Sequence, residues 1–209
     1  MMRIIDRDTW PRKEHFEWFS AFDEPFFSLM SDVDCTTAFM ESKGGGPTFF
    51  ARYLHACLTA INTISEFRYR VVEDQVVEFD AIHASPTLGR EDGTFGFGFV
   101  RYDADLTVFN TALNKDVQRV QSFSGLGVNE NSIRQDVIHF SAIPWVKFTA
   151  LTHARSFKFQ DSAPKITVGK VYQKEDRFLL PTSVTVHHGF LDGFHVGEFL
   201  KLFEEQLNR

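Results

Sequence analysis

The sequence predicts an α+β fold: a two-layer sandwich in which helices pack on a mostly antiparallel or mixed sheet. Three observations carry this. Strand-like and helix-like runs are interspersed without a regular βαβ alternation. No internal repeat or low-complexity segment interrupts them. The 209 residues, 43% hydrophobic and 24% charged, match one folded domain spanning 1–209.

The elements follow in chain order. PFFSLMSDVDCT (25–36) reads as a strand, and KGGGP (43–47) is a flexible patch. TFFARYLHACLTAINTISEF (48–67) places Phe49, Tyr53, Leu54, Cys57, Leu58 and Ile61 near helical spacing, with Pro47 at or near the first turn. FRYRVVEDQVVEFD (67–80) is a hairpin turning at Glu73-Asp74. TFGFGFVRYD (94–103) alternates Phe95, Phe97 and Phe99 with smaller residues, as a half-buried strand does. A helix over 105–122 precedes a polar loop over 123–135 that holds Gly125 and Gly127. Three strand-like runs come next, at 136–151, 163–175 and 177–189. From about Gly193 an amphipathic helix turns Phe199, Leu200, Phe203 and Leu207 inward.

Composition narrows function. Phenylalanine supplies 24 of the 31 aromatic residues (24 Phe, 3 Trp, 4 Tyr), so a core or pocket would be apolar with few polar handles. A net charge of -6 argues against a nucleic-acid partner. Cys35 and Cys57 form no CxxC pair. Two free thiols in a reducing compartment is the simplest reading, and one disulfide is the alternative. The N-terminus has no apolar run fit for a signal peptide, and no segment approaches a membrane span. The expectation is a cytoplasmic protein without a membrane partner.

The stretch TSVTVHHGFLDGFHVGEFLKLFEEQ (182–206) sets adjacent histidines before an Asp-Gly and a helix. Histidine is the side chain whose unperturbed pKa lies near neutrality. By period 2, Val184, Val186 and His188 share one strand face, with His187 on the other. His188 then reads either as a hydrogen-bonded core residue or as a general base. Asp192 also reads as an N-cap. With the two rings on opposite faces and no ligand at zinc-like spacing, no metal is expected. HFSAIPWVKFT (139–149) offers Ser141, a hydroxyl at a strand end that alone would pass for a turn residue.

Taken together, WPRKEHFEWF (10–19), FSAIPWVKFT (140–149), ITVGK (166–170) and LLPTSVTVHHGFLDGFHVGEFL (179–200) resemble the chloramphenicol acetyltransferases of the trimeric type. The HHxxxDG pattern alone marks the wider superfamily of CoA-dependent acyltransferases. The resemblance covers nearly the whole chain. It implies the CoA-dependent acyltransferase fold, acetyl-CoA as acyl donor, and O-acetylation of chloramphenicol, an antibiotic-resistance activity. It implies that His188 is the general base and that Ser141 hydrogen-bonds the oxyanion. Asp192 would pair with Arg12 to orient the loop carrying the base, and Thr167 would reach the transition state through a water. Lys170, Trp145 and Pro144 would lie along the CoA arm. The family is a homotrimer with active sites between subunits, the histidine coming from one and most of the acceptor pocket from the next.

The resemblance also implies an acceptor wall of Trp18, Phe19, Phe27 and Phe95. Phe19 replaces a tyrosine of several relatives, and Leu151 replaces an aromatic. Asp23 and His153 fall where apolar pocket residues are expected. They would pair with each other, point away, or meet a more polar acceptor, so the alternative is the same transfer to another hydroxyl or amine. A dehydrogenase-complex core needs a lipoyl domain and linker that this sequence lacks. A non-enzymatic CoA-binding module would carry a broken site, whereas His188, Asp192, Arg12 and Ser141 are all present.

Overall fold

The computed structural model describes residues 1–156 and 160–209. The main sheet is mixed. Its strands are β2 (Phe26–Asp34), β5 (His83–Gly89), β6 (Phe95–Phe97), β7 (Val137–Ala142), β8 (Lys165–Val168), β9 (Tyr172–Lys174) and β10 (Arg177–His187). They run in the order β2-β10-β8-β7-β5-β6, and β9 also pairs with β10. The pairs β5/β7 and β7/β8 are parallel, and the rest are antiparallel. A smaller sheet joins β1 (Met2–Ile4) to the hairpin of β3 (Tyr69–Val72) and β4 (Gln75–Phe79). The helices are α1 (Lys13–Ser20), α2 (Thr36–Glu41), α3 (Phe49–Thr63), α4 (Leu106–Gln121) and α5 (Gly193–Leu207). No helix among the described residues is long and apolar enough to cross a membrane.

Period-2 alternation assigns the two sheet faces. Ile138, Phe140, Ile166, Val168, Val184 and Val186 join the core with Leu54 and Leu58 of α3, Phe109 of α4, and Phe199 and Phe203 of α5. Their odd-numbered neighbours, His139, Lys165, Thr167 and Thr185 among them, point the other way. The helices therefore cover one face of the sheet and leave a polar one.

The expected helix from Thr48 stops at Thr63. Thr48 is its N-cap, accepting from the Ala51 N–H at 3.2 Å, with Pro47 just before it. Ile64 is extended and a 3₁₀ turn, Ser65–Arg68, follows. The β3–β4 hairpin turns where the sequence suggests. Glu73 and Asp74 both have positive φ, 48° and 63°, as a two-residue turn matching strand twist requires.

Two expectations about strands need correction. The run 94–103 is a strand only over Phe95–Phe97, and its buried face is the glycine face. α4 packs so close that a Cβ on Gly98 would come 2.5 Å from Asp116 Oδ2, and one on Gly96 2.9 Å from Val120. The phenylalanines are left outward, with Phe95 45% exposed. The run 136–151 is a strand only to Ala142. Ile143 donates its N–H to Val168 O, and Pro144, which has no N–H to give, ends the ladder. The sequence reading does not include β1, α1 or α2.

Both cysteines are free and buried. Burial pushes the Cys35 thiol up to about 12 and raises that of Cys57 too, so neither is poised as a nucleophile. Arg70 is fully buried and hydrogen-bonds the carbonyls of Phe67, Tyr69, Gln135 and Val137, tying the β3–β4 hairpin to the start of β7. Arg70→Met strands those acceptors. It should cost on the order of 3 kcal/mol, read as a lower urea midpoint at unchanged m-value.

Candidate active site

β10 ends at His187, so His188 is not on the strand face that period 2 gave it. Its N–H donates to Pro25 O at 2.8 Å, and the chain then folds back, with Phe190 and Leu191 N–H groups both reaching His187 O. This turn brings Leu191 O within 3.1 Å of His188 Nδ1. A carbonyl only accepts, so Nδ1 carries the proton, and in the neutral ring Nε2 is a bare lone pair. The ring stacks on Phe19 at 3.9 Å and leans on Phe27 at 4.6 Å. Two aromatic faces and one hydrogen bond fix its plane.

α1 cradles the loop that carries this histidine. Phe16 stacks on Phe190 at 5.2 Å, and a Cβ on Gly189 would come 3.0 Å from Phe16 Cα and from His187 Cε1, so a side chain there would have to push α1 or that ring aside. Arg12, just before α1, donates from Nη1 to Asp192 Oδ2 at 3.1 Å and from Nε to Gly189 O at 3.4 Å. Asp192 is also the N-cap of α5. Its Oδ1 accepts from Phe194 N–H at 3.0 Å and meets His195 Nδ1 at 2.9 Å. The cap and the ion pair are thus two uses of one carboxylate. Burial alone would raise the Asp192 carboxyl, but the Arg12 hydrogen bond, His195 and the Phe194 N–H hold it below the usual carboxylate range.

His187 is a different kind of histidine. It is buried among Phe16, Phe26 and Phe190, and its Nδ1 accepts from Gly189 N–H at 3.1 Å. Burial first, then Arg155, lowers its pKa to about 4. In the unfolded chain it would protonate near ~6.5. Between those values the unfolded state binds the extra proton. Stability should be full above pH ~6.5 and fall by on the order of 3 kcal/mol as the pH drops towards 4. Urea midpoints measured across this window check it, and His187→Gln should flatten the slope.

Ser141 lies near the end of β7, in register with Thr167 of β8, which in turn faces Ser183 of β10. Thr167 Oγ1 and Ser183 Oγ are buried with no hydrogen-bond partner among the described residues. Ser183 is five residues before His188, roughly 17 Å along the strand, and Ser141 is two strand spacings away, about 10 Å. Within one chain, Ser141 and His188 are therefore about 19 Å apart and do not share a cavity.

The remaining sequence candidates divide. Pro144 and Trp145 occupy a tight turn in which Val146 N–H reaches Ile143 O, and Lys170 N–H donates to Val146 O at 2.9 Å. These three form one exposed patch, with Trp145 78% exposed. Phe19 and Phe27 touch His188, while Trp18 is exposed and Leu151 is half-buried. Asp23 lines a cavity of about 570 Å³ with Pro25, Asp161 and His187. His153 lines a second one, about 280 Å³, with Ser141, His139 and Lys165. Asp23 and His153 thus face different cavities and do not form the mutual pair that was one alternative. The sequence reading missed His139, Asp161 and Lys165. The signal was available: the same period 2 that turns Ser141 and Thr167 off the core turns His139 and Lys165 with them.

The family model for chloramphenicol acetyltransferase matches residues 1–204. Chloramphenicol acetyltransferase 3 of Escherichia coli is 31% identical over 206 residues, 98% of this chain and 96% of that protein. A chloramphenicol acetyltransferase of Proteus mirabilis is 29% identical over 203 residues, 97% of this chain and 93% of the relative. A solved chloramphenicol acetyltransferase superposes with TM-score 0.92 at 32% identity, covering 99% of this chain and 100% of its own. The dihydrolipoamide acetyltransferase of Azotobacter vinelandii shares the fold alone, with TM-score 0.68 at 16% identity over 93% of this chain and 86% of that one. A whole-chain family match, in a fold that presents a tautomer-fixed histidine on an Arg12–Asp192 clamp, shows that this chain belongs to the chloramphenicol acetyltransferase family.

Proposed function

We propose that this protein is an acetyltransferase that moves the acetyl group of acetyl-CoA to a hydroxyl acceptor, with chloramphenicol as the acceptor its relatives' names supply. The observation that carries the reading is His188: Nδ1 is committed to Leu191 O, which leaves Nε2 to take the hydroxyl proton. The freed oxygen attacks the thioester carbonyl, and the tetrahedral oxyanion accepts a hydrogen bond from Ser141. Collapse breaks the C–S bond, and the departing CoA thiolate recovers the proton from the His188 imidazolium. Asp192 takes no proton in this scheme. It keeps the 188–192 loop in place, since a base misplaced by ~1 Å costs on the order of 100-fold.

The whole chain, 1–209, acts as one acyltransferase domain, and the enzyme is a homotrimer whose sites lie between subunits. The distance between Ser141 and His188 supports this, because one carbonyl must sit ~3 Å from both the nucleophile and the oxyanion donor. Two copies meeting edge to edge can supply what one cannot. Leu29, Trp145 and Val146 are apolar and exposed in the isolated chain, as surface awaiting a partner would be. Thr167 would act on the transition state through a water, and Lys170, Trp145 and Pro144 would bound the CoA arm.

CoA release from acetyl-CoA, followed with a thiol reagent, tests the activity. Release that needs both chloramphenicol and His188 is the expected result. Acetyl-CoA binding without release would move the acceptor elsewhere. A specific observation favours a more polar acceptor: the cavity beside Ser141 is lined mainly by polar side chains.

A further inference from the structure

The sheet face turned from the helices carries an uninterrupted polar row. Ser28, Thr185, Lys165, His139 and Ser85, from five strands, are register partners in sequence. Ser85, His139 and Lys165 of this row line the 280 Å³ cavity with Ser141, His153 and Asp161, and only Phe97 and Ala154 of its walls are apolar. Lys165 is 7% exposed. Its Nζ donates to Asp161 Oδ2 at 2.5 Å and to Ala163 O at 3.3 Å. Taking such a pair out of water is costly, and an apolar acceptor would gain nothing from it. The pockets of aromatic ligands are mostly apolar with few polar groups. This one is the reverse.

The charge balance narrows the class further. Lys165 pairs with Asp161, and Arg155, the other cation of the lining, pairs with Glu24 and approaches Asp161, so two carboxylates answer two cations and leave no surplus charge for an anion. His153 Nε2 is buried with no hydrogen-bond partner among the described residues. Burial first, then Lys165, lowers the His153 pKa, so its neutral ring offers one donor and one acceptor. A carboxylate, an ammonium, a guanidinium, two imidazoles and four hydroxyls in one small cavity form an array that both donates and accepts. Adjacent hydroxyls on a carbon skeleton, each a donor and an acceptor at once, complement it.

We propose that the preferred acceptor is a polyhydroxylated, non-aromatic small molecule, a sugar or polyol, bound by His139, His153 and the Lys165–Asp161 pair with one hydroxyl beside Ser141. This rests on the acetyl-transfer reading above and names its substrate class. A site that hydrogen-bonds hydroxyls rejects an acceptor lacking them by up to roughly 10⁴-fold, because its own polar groups are then left unpaired.

The test compares kcat/KM for CoA release with chloramphenicol, glucose, N-acetylglucosamine, sorbitol and myo-inositol. It uses the wild type, His188→Ala, His139→Phe and the double variant Lys165→Met/Asp161→Asn. The double change removes both charges of the pair together, and Arg155, which also approaches Asp161, keeps Glu24 as its partner. His139→Phe, on a more exposed position, guards against a folding failure of the double variant. The expected result is that at least one polyol or sugar exceeds chloramphenicol by 10-fold or more. Both pocket variants should then cut that ratio at least 10-fold while His188-dependent release with chloramphenicol persists. A ratio that favours chloramphenicol in the wild type, or that neither variant moves, overturns the inference and leaves acetyl transfer standing. No His188-dependent release with any acceptor overturns the acetyl-transfer reading, and this inference with it.

Discussion

His188→Ala should lower turnover by about 10²- to 10⁴-fold, the range a positioned general base contributes, while the urea midpoint changes little. The two effects separate because the ring makes few contacts that hold the fold. It stacks on Phe19 and Phe27 and bonds one carbonyl at the rim of the sheet, whereas its neighbour His187 fills a buried slot among three phenylalanines. Acetyl-CoA affinity should also hold, since no acyl-donor contact is assigned to the ring itself. His188→Gln keeps a polar group of similar reach but has no basic nitrogen, and it should be as inactive as the alanine variant. Near-full turnover in either variant would mean that another group takes the proton.

Ser141→Ala should lower turnover by roughly 100- to 1,000-fold, as loss of one oxyanion donor does. The more telling result comes from mixing. If Ser141 of one copy completes the site of His188 on the next, a refolded mixture of Ser141→Ala and His188→Ala chains contains junctions where both intact residues meet. Such a mixture should regain a substantial fraction of wild-type turnover, although each variant alone is nearly silent. If one chain housed the whole site, no junction could be repaired and the mixture would stay as slow as its parts. The ~19 Å between the two residues within a chain leads us to expect recovery. Turnover should also depend on protein concentration near the dissociation threshold of the assembly.

Much of this was legible in the sequence because it is local. The hairpin at Glu73-Asp74, the helix within 105–122 and the cap at Asp192 depend on residues within a few positions, and all occur. The division of β7, β8 and β10 into core and polar faces follows from period 2. Period 2 also marks the limit of such reading. It put His188 on the face of Val186, but the strand ends one residue earlier, and the ring's orientation is set by Leu191 O, Phe19 and Phe27. The phenylalanines of 95–99 misled for a related reason. Alternation shows that two faces differ, and a helix packed on glycine decides which one is buried.

The sequence by itself determined the α+β class and the family, and it singled out the Arg12–Asp192 pair and the two residues proposed as base and oxyanion donor, His188 and Ser141. Short-range periodicity and a set of motifs spread along the chain are properties of the linear order of residues. Only the tertiary structure decided that α1 forms the cradle, that Nε2 is the free nitrogen of His188, and that Ser141 and His188 stand on distant parts of one sheet. The charged company of His139, Asp161 and Lys165 around Ser141 also emerged only there. Those facts depend on strand register and on which loops meet across the sheet. Such contacts join residues far apart in the chain, and no local pattern encodes them.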